Sequence, residues 1–200
     1  MAPKTKAKAR KTTGSSSGGR RRSTSRRGTD LVKIVKMLED DHSKVDKLFK
    51  KFEKLKKAED EARYALVPQI CSMLKVHMSL EEELLYPTAH EVMGDDADMV
   101  DEAQVEHASG KQLITDLERM DTDEHLFDAK VKVLGEYINH HVEEEEDEFF
   151  PKLKKKADDQ FDGVFGQMQE MRRTLESGSE MAKTERTKRR QAAQGSAAHS

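Results

Sequence analysis

The stretch His77-Met78-Ser79-Leu80-Glu81-Glu82-Glu83-Leu84-Leu85-Tyr86-Pro87 is answered sixty-four residues later by His141-Val142-Glu143-Glu144-Glu145-Glu146-Asp147-Glu148-Phe149-Phe150-Pro151. Both copies read His-x3-Glu-x4-aromatic-Pro. A His and a Glu four residues apart lie on one face of a helix, so the two side chains can reach a common point. Two such helices facing each other supply two imidazoles and two carboxylates to that point.

Outward from the two copies, the apolar spacing is helical throughout. Leu66, Ile70 and Leu74 lead into His77 and Glu81, with Pro68 marking a kink or a late start and Pro87 closing the helix. Phe127, Val131, Leu134 and Ile138 lead into His141 and Glu145 and run up to Pro151, with Asp121-Thr122-Asp123-Glu124 turning the chain and capping that helix. Each copy is preceded by another helical pattern carrying one His. The first begins at a Thr29 or Asp30 N-cap and holds Leu31, Ile34, Leu38, His42, Val45, Leu48, Phe52 and Leu55; the other, from about Asp98 to Met120, holds Val100, Ala103, His107, Ile114 and Leu117, with Gly110 as a weak point. A polar stretch from Thr88 to Asp98 forms the connection, and a shorter helix from Asp158 to Leu175 uses Phe161, Phe165, Met168 and Leu175 to cover one end. No segment alternates like a half-buried strand, and the linkers are short. The expected architecture is all-α, an antiparallel up-down-up-down four-helix bundle made of two related hairpins with a short extra C-terminal helix.

Composition bounds this reading. Two hundred residues, 34% apolar, without Trp and with only seven Phe and three Tyr, allow one domain with a modest core. The net charge of -3 conceals an asymmetry: residues 1–28 carry ten Lys or Arg and no acid, and residues 180–200 carry five against two, which leaves about -16 on the body. We therefore read 1–28 and 179–200 as disordered basic tails flanking a bundle over 29–178. The tails could bind nucleic acid by counterion release, or serve as solubilising extensions attracted to the acidic body. With no aromatic residue in the first 28, such binding would be purely electrostatic. The basic start also lacks the Leu, Phe or Ile of an amphipathic transit peptide. Cys71, alone and beside Ile70 and Leu74, reads as a buried apolar residue, so a reduced cytoplasm is the expected location. No apolar run approaches a membrane span of about 20 residues, and neither a Ser-His-Asp nor a Cys-His arrangement nor a phosphate-cradling loop is evident.

Glu81 and Glu145 stand where the local pattern calls for Leu. A carboxylate on the core side of a helix costs several kcal/mol unless paired, and no Lys or Arg shares those stripes; bound cations would neutralise them. Glu82, Glu83, Glu143 and Glu144 read instead as a solvated face. Imidazole and carboxylate ligands without thiolate suit iron, manganese or zinc. Six ligands from four helices, His42, His77, Glu81, His107, His141 and Glu145, suit two octahedral ions bridged by the carboxylates better than one tetrahedral zinc.

With a His on each of four helices and the order His then Glu on two of them, residues 30–152 resemble the hemerythrin family, specifically the HHE cation-binding domains. The resemblance implies a non-haem di-iron centre ligated by these six residues, its two irons also joined by an oxo or hydroxo bridge. The chain departs from the oxygen carriers of that family, which have a second His where Ala103 stands and an Asp five residues after the last His, where here Glu145 comes at four. Glu106, His140 or His90 are the candidates to fill the missing position; His140 lies about 100° off the ligand face, and His125 and His199 read as surface residues. The resemblance implies a protein that binds or senses dioxygen, nitric oxide or iron. Two alternatives stay open: an enzyme acting on peroxide or nitric oxide, and a nucleic-acid-associated iron protein using its tails.

Overall fold

The computed structural model describes residues 29–55 and 60–178; both basic tails lie outside them. Helix α1 spans Thr29–Lys54, α2 Asp60–Tyr64, α3 Val67–Leu80, α4 Tyr86–Met93, α5 Asp98–Arg119, α6 Phe127–Glu144 and α7 Phe150–Lys156, and residues 164–178 form α8. No strand occurs among the described residues, and no helix there is long and apolar enough to cross a membrane. Pro68 sits in the first turn of α3, where its missing N–H costs nothing, so it marks a start and not a kink.

The other two prolines of the described residues, Pro87 and Pro151, do not stop their helices. Between α3 and α4, Glu81–Leu85 forms a wide π-type turn in which the Tyr86 N–H donates to the Glu81 carbonyl, five residues back; between α6 and α7, Glu145–Phe149 repeats it with Phe150 donating to Glu145. The loosened ladder lets the chain pass a proline that has neither an N–H nor room beneath its ring, and the stretch after Pro87, expected as a loop, is helix α4. Each turn also re-aims the helix beyond it. Nine residues after the His, Tyr86 and Phe150 would lie about 180° away from it in an uninterrupted helix; taking up one extra residue returns them about 100° toward the inward face. Both aromatic rings are buried.

Helix α1 packs on α3, α3 on α5, α5 on α6 and α6 on α1, closing a cycle, while α4 packs on α7. The core divides in two. One cluster gathers Leu31, Ile34, Val35 and Leu38 with Leu80, Leu85, Val100, Phe149 and Phe150; the other gathers Val45, Phe49 and Phe52 with Ile70, Leu74, Ile114, Leu134 and Ile138. Between them runs a buried polar layer containing His42, His77, Glu81, His107, His141 and Glu145. Helix α5 is continuous through Gly110; a Cβ there would stand 3.1 Å from the Met78 methyl, so the missing side chain lets α3 and α5 approach. Residues 121–126 form a turn as expected, but none of their side chains caps α6, whose N-cap is Leu126. Helix α8 begins after Gly163, whose φ of 87° favours glycine. Phe161, Val164 and Met168 bury against the first cluster.

Candidate metal centre

The six residues singled out by spacing come together. His42 projects from α1, His77 from α3, His107 from α5 and His141 from α6, and Glu81 and Glu145 open the two wide turns. All four rings turn Nε2 inward: His42 and His77 meet at 3.1 Å and His107 and His141 at 3.0 Å. Glu81 Oε2 lies 3.0 Å from His77 Nε2 and 3.5 Å from His107 Nε2, while Glu145 Oε2 lies 3.3 Å from His42 Nε2 and 3.6 Å from His141 Nε2. Each carboxylate therefore spans both His pairs. Two buried donor groups could each hold a cation, His42-His77-Glu81-Glu145 and Glu81-His107-His141, with the donor atoms of each group within 4.8 Å of one another; a third, more exposed group, Glu106-His140-Glu144, meets the same distance.

Three of the four outward nitrogens bond carboxylates, and the fourth faces one. His42 Nδ1 is 2.8 Å from Glu146, His107 Nδ1 is 3.0 Å from Glu82 and His141 Nδ1 is 2.8 Å from Glu106, while Asp41 faces His77 Nδ1 at 3.9 Å. An ionised carboxylate only accepts, so in a neutral ring the proton sits on Nδ1 and the Nε2 lone pair faces the centre, which is how metal-binding histidines are commonly oriented. The pairing crosses between repeats: the residue after each inward glutamate supports the first-helix His of the other hairpin. Within each hairpin, the residue before the first His supports the second.

Electrostatics state what the layer lacks. Glu81 is 0% exposed and neither of its oxygens has a hydrogen-bond partner, nor has Glu145 Oε2. Burial and the neighbouring Glu145 charge push the Glu81 carboxyl up. Burial acts on Glu145 in the same direction, but the charges of His141 and His42 prevail and hold it well below the usual range. Burial opposes protonation of His77, yet Glu81, Asp41 and Glu145 raise it to about 10; His141 is raised too, against burial, by Glu145 and Glu106. His107 goes the other way, to about 2, through burial and the proximity of His141. Two buried carboxylates thus draw positive charge into the layer, answered by protons where no cation is bound. These orphaned oxygens and the inward lone pairs fit one or two cations.

An aromatic pair completes the site unequally. The Tyr86 hydroxyl donates to Glu145 Oε1 at 3.0 Å and stands 3.3 Å from His107 Nε2, whereas Phe150 lies parallel to the His42 ring at a centroid distance of 6.2 Å. Burial and the Glu145 and Glu81 charges raise Tyr86 well above its ordinary value, so it keeps its proton. Inside the layer a cavity of about 10 Å³ touches all four imidazoles, room for one water-sized molecule. A larger pocket of about 170 Å³, lined by Ala103, Glu106, His141, Glu145 and Glu148 among others, meets the layer from outside.

Of the candidates for a further ligand, His140 and His90 are exposed and pair with Glu144 and Asp101, and His125 is exposed as expected; His199 lies outside the described residues. Glu106 reaches His141 Nδ1 and not the centre. Glu82, read as solvated, instead bonds His107 and Lys111. Spacing alone assigned no role to Asp41 and Glu146, and their positions beside His42 and Glu145 were the signal available. Cys71 is buried, as expected, and its thiol is pushed up to about 12 by burial.

Residues 33–153 match the family model described as Hemerythrin HHE cation binding domain. The fold is similar to that of a hemerythrin HHE cation binding domain-containing protein from Mycobacterium kansasii, with a TM-score of 0.55 and 19% identity over 70% of this chain and 86% of that one. No curated protein matches the chain. With more than half of its length matched by the family model, and with His and Glu groups able to hold a metal at the centre of that segment, the chain belongs to the hemerythrin HHE cation-binding domain family.

Proposed function

We propose that the chain is a non-haem di-iron protein that binds or senses a small ligand, dioxygen or nitric oxide, or iron itself, in the cytoplasm. The observation that carries this is the pair of buried carboxylates, three of whose four oxygens lack a hydrogen-bond partner, each carboxylate lying within 3.6 Å of one imidazole from both His pairs. His42 and His77 would hold one ion, His107 and His141 the other, and Glu81 and Glu145 would be shared. Neutral imidazoles and carboxylates without thiolate suit iron. The body over 29–178 is read as an antiparallel four-helix bundle, since residues from the starts of α1 and α5 share one apolar cluster with those from the end of α3 and from the turn that follows α6.

Two ferrous ions held there would supply the two electrons that dioxygen or peroxide accepts. The protein's own part is to orient the ligands, to limit access and to offer one hydrogen-bond donor. Glu82, Asp41, Glu106 and Glu146 aim the imidazoles; Phe150 keeps the His42 face dry; the Tyr86 hydroxyl is a fixed donor beside Glu145 and His107. Anaerobic loading with ferrous iron followed by metal analysis tests the reading: about two irons per chain are expected, with His77→Ala and His141→Ala each lowering the content. A chain that retains no iron refutes it. A second reading, turnover of peroxide or nitric oxide, is favoured by the pocket at Ala103 that reaches His141 and Glu145; sustained turnover in purified protein separates it from stoichiometric binding.

A further inference from the structure

Helix α8 lies beyond the matched segment 33–153, yet one of its side chains reaches the edge of the polar layer. Arg172 directs two nitrogens at Asp41, Nη1 to Oδ1 at 3.1 Å and Nη2 to Oδ2. Asp41 is 6% exposed, precedes His42, also receives the exposed Lys44, and faces Nδ1 of His77 through Oδ2. The equivalent carboxylate of the second repeat, Glu106, meets His141 Nδ1 directly at 2.8 Å, and among the described residues no arginine contacts it. His77 is the one imidazole of the four whose Nδ1 has no hydrogen-bond partner, and its carboxylate is the one that an appended helix has taken hold of.

The contact is not what docks α8. Phe161, Val164 and Met168 bury against α1 and its neighbours, and the Gly163 N–H donates to Asp30 Oδ2 at 3.0 Å. A buried ion pair is a poor source of net stability, because desolvation cancels most of its attraction; a planar guanidinium on both oxygens of a carboxylate does fix that carboxylate's position and plane.

We propose that Arg172 is a positioning residue for His77: by clamping Asp41 it sets where the carboxylate meets that imidazole, and so makes occupancy of the His42/His77 half of the centre depend on helix α8. The inference rests on the two-ion reading above, and deepens it by making the two halves separately adjustable. Removing Arg172 frees Asp41 to turn toward Lys44 or solvent, and the His77 ring loses the carboxylate that faces its Nδ1 at 3.9 Å. The other half, with Glu106 on His141 and Glu82 on His107, keeps its supports.

The test is a ferrous titration of the full chain against a competing chelator, with the visible spectrum recorded after exposure to air. Wild type is expected to bind two ions. Arg172→Ala should weaken one of the two steps by about 10–100-fold, the range for lost support of a ligand, with the melting temperature of the metal-free chain unchanged; Asp41→Asn should reproduce the effect, and Arg172→Lys recover only part of it. Arg173→Ala, whose partner is the exposed Glu170, leaves both steps as in wild type. Two unaltered steps in Arg172→Ala, or both steps weakened equally together with a lower melting temperature, overturn the proposal. If Arg172→Ala fails to fold, Arg172→Lys carries the test: one weakened step supports the proposal and two unaltered steps overturn it. A wild type that binds no iron overturns the di-iron reading itself, and this proposal with it.

Discussion

The two hairpins carry the same inward set and the same wide turns, and differ in much of what surrounds them. His42, His77 and Glu81 correspond to His107, His141 and Glu145, but Tyr86 corresponds to Phe150, and Asp41 under Arg172 corresponds to an unclamped Glu106. Lys111 reaches Glu82, while among the described residues no cation reaches its counterpart Glu146. One side of the layer therefore lies beneath Phe150 and α8, and the other meets a phenol and a pocket at Ala103. On the two-ion reading proposed above, ligand geometry is repeated because a cation pair would demand it. The surroundings are free to diverge, and on that reading they would decide from which side a small molecule arrives and which ion is held more firmly.

The comparison can be broken most severely at the shared carboxylates. Glu81→Ala and Glu145→Ala should each empty both halves, since each side chain spans both His pairs; metal analysis of either variant showing one tightly held ion would mean that the halves are independent. A smaller effect, opposite in sign between the repeats, is expected in the metal-free chain. Glu81→Gln removes a carboxylate that has no hydrogen bond and whose pKa is raised, so it should stabilise by about 1–3 kcal/mol near neutral pH. Glu145→Gln disrupts a carboxylate bonded to Tyr86 and held ionised by His141 and His42, so it should destabilise by a similar amount. The two effects also depart with pH in different windows. As pH falls, wild-type Glu81 takes up its proton first and the advantage of Glu81→Gln shrinks, while Glu145 goes on contributing until acid reaches its depressed range. Chemical denaturation of chelator-treated protein at several pH values measures both. The smallest effect tests the aromatic pair: Tyr86→Phe makes the repeats alike, leaves the iron content unchanged, and should weaken azide binding to the ferric protein by up to about tenfold, the loss of one hydrogen bond. Azide affinity equal to wild type would mean that the phenol serves only Glu145.

The spacing of the inward residues was legible because four residues on a helix is a local rule, and it holds whatever the helix later packs against. Helix α5 was read from about Asp98 to Met120 and runs Asp98–Arg119 for the same reason. What supports the ligands was not legible, since Glu82 and Glu146 find their imidazoles on the other hairpin, and nothing in an acidic run distinguishes a glutamate that crosses to a partner from one that faces water. Pro87 and Pro151 misled for a physical reason as well. A proline ordinarily ends a helix, and the device that lets the chain continue, one residue of slack before it, leaves no mark in hydrophobic periodicity. Arg172 lay in a helix expected to cover an end, and its reach of 131 positions along the chain is a property of tertiary packing alone.

That residue of slack makes chain length part of the specification. Delete any one position between Glu82 and Leu85 and the ladder could close as an ordinary helix, turning Tyr86 and all of α4 by about 100°: the phenol would leave Glu145, Ala89 and Met93 would swing out of the core, and the lid made by α4 and α7 would come apart. A substitution in that segment alters the contacts of one side chain, whereas a one-codon loss would rewrite the facing of a whole element.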